Sequence, residues 1–155
     1  MGALLLPSLG ITWSASGGPL PGLGTALAQV AATPVANPSV LDAQGNVKLS
    51  VTRDLAATDG LAFNVVLDTH AGSLDTLDLK ALATLSVDAG PEVKALSWTA
   101  APGGHHRTGR LVFPRALPDG QAVLRPDAER LTLTVHDVGG IVLRALRWNL
   151  RPAAR

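Results

Sequence analysis

From residue 46 onward, apolar and polar residues alternate in short runs, each closed by glycine, proline or aspartate. In NVKLSVTR (46–53), Val47, Leu49 and Val51 share one face against Lys48, Ser50 and Thr52, and LAFNVVLD (61–68) groups Phe63, Val65 and Leu67 in the same way. A period of two sends successive side chains to opposite faces of a strand, so both segments are expected as half-buried β-strands. LATLSVD (82–88) and EVKALSW (92–98) flank Ala-Gly-Pro, which suggests a hairpin whose turn is set by Gly90 and Pro91. RLVF (110–113) is a short strand stopped by Pro114. RLTLTVHD (130–137) has the clearest alternation, with Leu131, Leu133 and Val135 inward and Thr132, Thr134 and His136 outward. IVLRALRWNL (141–150) follows Gly139-Gly140 and ends the domain. About seven such strands predict an all-β fold, an antiparallel immunoglobulin-like β-sandwich.

Two segments are open. AGSLDTLDLKALA (71–83) reads as a crossover loop with a helical turn or as an extra edge strand, and PRALPDGQAVLRPDAE (114–129) can hold a strand at QAVLR. A real strand in either would reverse the direction of every strand after it.

The pattern is different at the start. The first 41 residues carry no charged side chain, and MGALLLPSLGITWSASGGPLPGLGTALA ends in Ala26-Leu27-Ala28, an A-x-A pattern of the kind cut by signal peptidase. Residues 1–28 are therefore expected to be a signal-peptide-like segment, although a basic n-region is missing and glycine and proline interrupt the apolar run. QVAATPVANPS (29–39) has linker composition. The expected organisation is a 1–28 export segment, a 29–41 linker, a 42–151 β-sandwich domain and a 152–155 tail, in an extracytoplasmic setting: periplasmic, secreted or cell-surface. No run of about 18 apolar residues exists to predict a transmembrane span.

Composition removes several function classes. With 13 basic and 12 acidic residues, the net charge of +1 gives no reason to expect nucleic acid or an anionic membrane as partner. The absence of cysteine excludes disulfide frameworks, thiolate zinc sites, iron–sulfur ligation and thiol catalysis. No phosphate-cradling glycine motif is present.

What remains is histidine. Tracking strand direction from pole to pole puts His70 just past the end of 61–68, His105 and His106 in GGHHRTG (103–109), and His136 near the end of 130–137, all at one pole. Neutral imidazoles from three segments, with Asp68 or Asp137 nearby, suit a copper or zinc ion. No two histidines stand at i, i+2 on a strand or i, i+4 on a helix, so any chelate depends on topology.

Each residue also has a plainer role. His70 can cap a turn beside Asp68 and Thr69; one of His105 and His106 can pack on Trp98; and His136 can be a solvated, cross-strand-paired residue. Trp98 and Trp148 are expected in the core or at its rim, with their indole N–H groups on carbonyls. Arg107, Arg144 and Arg147 can bind an anion, though Arg144 and Arg147 face opposite sides of a strand. Ser73, His70 and Asp68 spell a catalytic triad on paper, but no nucleophile elbow or oxyanion loop accompanies them. Asp75 and Asp78 look like solvated charges. An enzyme is not expected.

The stretches LDTHAGSLDTLDL, SWTAAPGGHHRTGRLVF and LTVHDVGGIVLRALRWNL, in this order, resemble uncharacterised secreted or membrane-anchored bacterial and archaeal domains with DTHS-x-DL, W…GGHH-x-x-G-x-L-x-F and D-x-GG-x-x-x-R-x-x-x-W patterns. The resemblance covers roughly residues 61 to 150 and carries over Asp68, Thr69, His70, Trp98, Gly103, Gly104, His105, His106, Gly109, Asp137, Gly139, Gly140, Arg144 and Trp148. Ala71 stands where the pattern often has serine and Leu146 where it often has an aromatic residue; His136 lies outside it. The resemblance implies an extracytoplasmic domain and no particular activity.

The sequence thus leads to an exported, non-enzymatic β-sandwich that binds copper or zinc through His70, His105 and His106, with Asp68 or His136 completing the shell. The alternative is a structural or protein-interaction module with an extracytoplasmic protein partner, in which the same histidines form a packed, hydrogen-bonded loop cluster.

Overall fold

The computed structural model describes residues 39–151, so the expectations for the export segment, most of the linker and the tail lie outside the described residues. The described chain is all-β and antiparallel, in a sandwich-like pair of open sheets whose buried residues form one core. One sheet has the order β1-β2-β3-β7-β6, the other β5-β4-β8-β9. The strands are β1 (Ser39–Asp42), β2 (Val47–Asp54), β3 (Leu61–Thr69), β4 (Ala83–Val87), β5 (Val93–Lys94), β6 (Ser97–Ala100), β7 (His106–Phe113), β8 (Arg130–Val138) and β9 (Ile141–Asn149). No helix among the described residues is long and apolar enough to cross a membrane.

The alternation read from sequence is what the core uses. Val47, Leu49 and Val51 of β2, Phe63, Val65 and Leu67 of β3, and Leu131, Leu133 and Val135 of β8 are all buried. Register aligns like with like: Leu49 lies opposite Leu67, Val51 opposite Val65, and Leu85 opposite Leu133. Between the sheets Phe63 meets Phe113 edge-on at 5.8 Å and tilts against Trp148 at 5.5 Å, favoured aromatic geometries.

Five details differ from the sequence expectation. Ser39–Asp42, placed mostly in the linker, pair with β2 as an edge strand, so the folded part extends back at least to Ser39. The 92–98 strand is two strands: Val93–Lys94 complete the hairpin with β4, then the chain changes sheet at buried Ala95, and Ser97–Ala100 pair with β7. In that hairpin the left-handed residues are Asp88 (φ 50°) and Ala89 (φ 57°) rather than Gly90. The strand expected at 110–113 starts at His106, and β1 together with the division of 92–98 raises the described strands to nine where about seven were expected. Gly109 opens this extension by leaving room for Trp98, whose ring would lie 2.4 Å from an added Cβ.

The two open segments resolve without reversing the strand count. Leu79–Leu82 form a single helical turn, α1, whose first N–H groups are capped by Asp78, the carboxylate accepting from Lys80 N at 3.0 Å. Residues 114–129 hold no strand, only an isolated bridge between Ala116 and Ala122. β8 consequently runs toward the pole where β3 ends.

Candidate functional site at the histidine pole

The site is built on the outer face of the five-stranded sheet. Because Phe63, Val65 and Leu67 point inward on β3, Asp68 points outward. Register places Asp68 opposite Lys48 of β2 on one side and opposite His106 of β7 on the other, so Lys48, Asp68 and His106 form one cross-strand row. His106 Nδ1 is in direct contact with Asp68 Oδ1, with the imidazole exposed and the carboxylate about one-third exposed. A carboxylate on Nδ1 holds the proton there and leaves Nε2 with its lone pair toward solvent.

His70 and His105 come from the adjoining loops. Thr69 N donates to His105 O at 2.9 Å, which extends the β3–β7 ladder by one residue. His70, His105, His106 and Asp68 line one open cleft of about 670 Å³, together with Ala43, Gly45, Asn46 and Lys48. His70, His105 and His106 are all exposed. His136 does not join them. It is half-buried on β8, paired with Leu143, and faces outward from the four-stranded sheet, so the whole core lies between it and the Asp68–His106 pair. Asp137, in the left-handed region at φ 52°, is likewise not among the residues lining the cleft. Among the described residues no group of three or more His, Cys, Asp or Glu side chains is gathered closely enough to hold a metal ion.

The loops beneath the cleft are locked by residues to which sequence reasoning gave other roles. Asp75 Oδ1 accepts from Gly103 N at 2.7 Å and Gly104 N at 3.1 Å, and Leu74 N donates to Gly104 O at 2.7 Å. The two glycine N–H bonds hold the Asp75 carboxyl below its ordinary range, so it is an anchored acceptor, not a freely solvated charge. Gly103 admits no side chain, since an added Cβ would sit 2.0 Å from His106 O. Ser73 Oγ accepts from Asp75 N at 3.2 Å, a turn contact rather than a poised nucleophile.

Arg107 is buried, not available to an anion. It donates to Leu74 O at 2.9 Å, to Leu77 O at 2.6 Å and to Ala101 O at 3.3 Å, and its guanidinium lies 5.7 Å from the Trp98 ring centre. Trp98 thus packs on Arg107 and Gly109; both His105 and His106 are exposed, and the Trp98 indole N–H is buried with no acceptor among the described residues. Arg144, fully buried, bonds Asp42, Gln44 O and Val138 O, tying β9 to the β1–β2 turn. Strand parity was the available signal for Arg107: it shares the inward face with Gly109, Leu111 and Phe113.

Comparison with known proteins found no family model, no curated protein and no solved structure that matches the chain.

Proposed function

We propose that the chain is an exported, non-enzymatic domain of immunoglobulin-like type whose histidine pole binds a transition metal ion, copper or zinc. The observation that carries this reading is that three of the four histidines line one cleft with Asp68. In it, His106 offers Nε2 as the leading ligand, Asp68 holds the opposite ring nitrogen, and His70 and His105 turn toward the ion from the flanking loops. All three imidazoles are exposed, so closing the shell needs side-chain rotation and no change in the core.

A second reading, an extracytoplasmic structural or protein-interaction module, is favoured by the locks around the cleft. Asp75, Arg107 and Arg144 tie these loops together through bonds to glycine N–H groups, backbone carbonyls and Asp42. Calorimetric titration of the protein with zinc and copper separates the two. Saturable heat that disappears in the His105→Ala/His106→Ala protein supports the metal site; the same heat from both proteins leaves the interaction module.

A further inference from the structure

The far pole carries a cation that the fold does not match. β2 starts at the histidine pole with Val47 and ends with Arg53 and Asp54 at the other. Arg53 shares the inward parity of Leu49 and Val51 and lies opposite Phe63, so its side chain rises between the sheets where the core runs out. It is half-buried, and among the described residues it has no hydrogen-bond or ion-pair partner. The other two inward arginines, Arg107 and Arg144, are saturated with acceptors. Burial alone pushes the Arg53 guanidinium below its ordinary value, with no neighbouring carboxylate to pull it back.

Arg53 opens into a pocket of about 190 Å³ that the histidine cleft does not share. Leu124, Ala128 and Leu150 give it an apolar wall, and Arg125 and Arg151 stand at its rim; among the described residues no Asp or Glu lines it. The acids paired with the rim arginines do not reach Arg53. Asp88 and Asp127 lie 3.5 and 3.4 Å from Arg125, and Glu129 lies 3.6 Å from Arg151, exposed contacts that leave Arg53 uncompensated.

We propose that this pocket binds a small organic carboxylate, with its head on the Arg53 guanidinium and its apolar body against Leu124 and Leu150. A planar fork with two parallel N–H donors matches a carboxylate, and a short hydrocarbon stub fills the wall that water solvates poorly. Phosphate fits less well. Its remaining oxygens would face the apolar wall with no donors, which costs desolvation without return.

The test is an NMR titration of the full chain with 4-methylpentanoate, following the Arg53 Nε–Hε resonance, with 4-methylpentanamide and inorganic phosphate as comparison probes. The acid is expected to shift that resonance saturably, the amide not to shift it, and phosphate to bind more weakly. Arg53→Lys, which keeps the charge and loses the fork, is expected to weaken the acid about tenfold. If that variant fails to fold, Arg125→Gln/Arg151→Gln, changed only at exposed positions, decides the matter through a severalfold loss of affinity. Equal shifts from acid and amide, tighter binding of phosphate, or an unchanged affinity in the variants would overturn the proposal.

Discussion

Arg144 of β9 reaches Asp42 of β1 with Nη1 2.6 Å from Oδ1, its own side chain fully buried and that of Asp42 only 10% exposed. These are the edge strands of different sheets, so the pair closes one side of the sandwich near the candidate cleft. Asp42→Asn removes the counter-charge and leaves a buried guanidinium held only by carbonyls. Breaking one member of a buried pair costs on the order of 3–5 kcal/mol. Urea denaturation is expected to show a loss of that size for Asp42→Asn. A loss below about 1 kcal/mol would place the pair in the weak class of exposed ion pairs.

The same carboxylate predicts an acid response. Burial raises the Asp42 pKa, but the Gln44 backbone and side-chain N–H groups and the Arg144 charge outweigh it, and the net value is lowered from 3.8. A folded-state pKa below the unfolded one means that the stabilisation is complete above the unfolded value and is lost as pH falls through it toward the folded value. Below pH 4, wild type should therefore lose stability more steeply than Asp42→Asn, measured as the urea midpoint against pH. Asp59, Asp75 and Asp88 are lowered too, so the contribution of Asp42 is the difference between the two curves.

Much of this domain was legible from period-two alternation because inward positions on β2, β3, β4 and β8 really are core positions. That His70, His105 and His106 line one cleft was legible for the same reason: no extra strand intervenes between β3 and β4. Two kinds of feature were not. The division of 92–98 between sheets depends on long-range pairing, with Leu96 N donating to Val112 O, and a local pattern does not contain that. Buried charge was the other. A linear reading offers Arg107 and Arg144 to an anion and leaves Asp75 to solvent because their partners are backbone carbonyls, glycine N–H groups and a carboxylate 102 residues away. His136 reaches the expected pole and faces outward as read, but from the other sheet: alternation gives a strand's inward and outward faces and does not say which sheet the strand joins.

The β8–β9 turn separates steric from conformational need for glycine. Gly139 (φ 63°) and Gly140 (φ 78°) are both left-handed, as a two-residue hairpin turn between Val138 and Ile141 requires. A Cβ on Gly140 would meet nothing within 4 Å, whereas one on Gly139 would sit 2.8 Å from Val47 Cβ. Gly140→Ala should cost about 1–2 kcal/mol, and Gly140→Asn less, because asparagine tolerates this region. Gly139→Asn should not recover in the same way. Thermal melts of the four proteins check this, and equal losses at the two positions would refute the steric argument.

Asp75 is the acceptor that orders the glycine pair before the histidines. Asp75→Ala leaves the Gly103 and Gly104 N–H groups to solvent, so their amide hydrogen exchange should accelerate while that of Leu133 in β8 stays unchanged. Because its pKa is lowered, this protection should persist through the ordinary carboxylate range and be lost only as pH falls below it. Unchanged exchange at Gly103 would mean that backbone bonds such as Leu74 N to Gly104 O and His106 N to Gly103 O hold the loop without the carboxylate.

The opposite orientations of His106 and His136 yield the sharpest prediction for the metal reading. Asp68 sits on the Nδ1 side of His106, as an orienting partner sits behind a metal-bound imidazole. Asp68→Asn is therefore expected to weaken zinc or copper about 10- to 100-fold, the usual effect of losing such a partner. His106→Ala should abolish most of the heat. His136→Ala should leave affinity and stoichiometry unchanged, because β8 presents His136 from the outer face of the other sheet. Calorimetry on the three variants distinguishes the cases, and a loss of binding in His136→Ala with retention in His106→Ala would move the site off this cleft altogether.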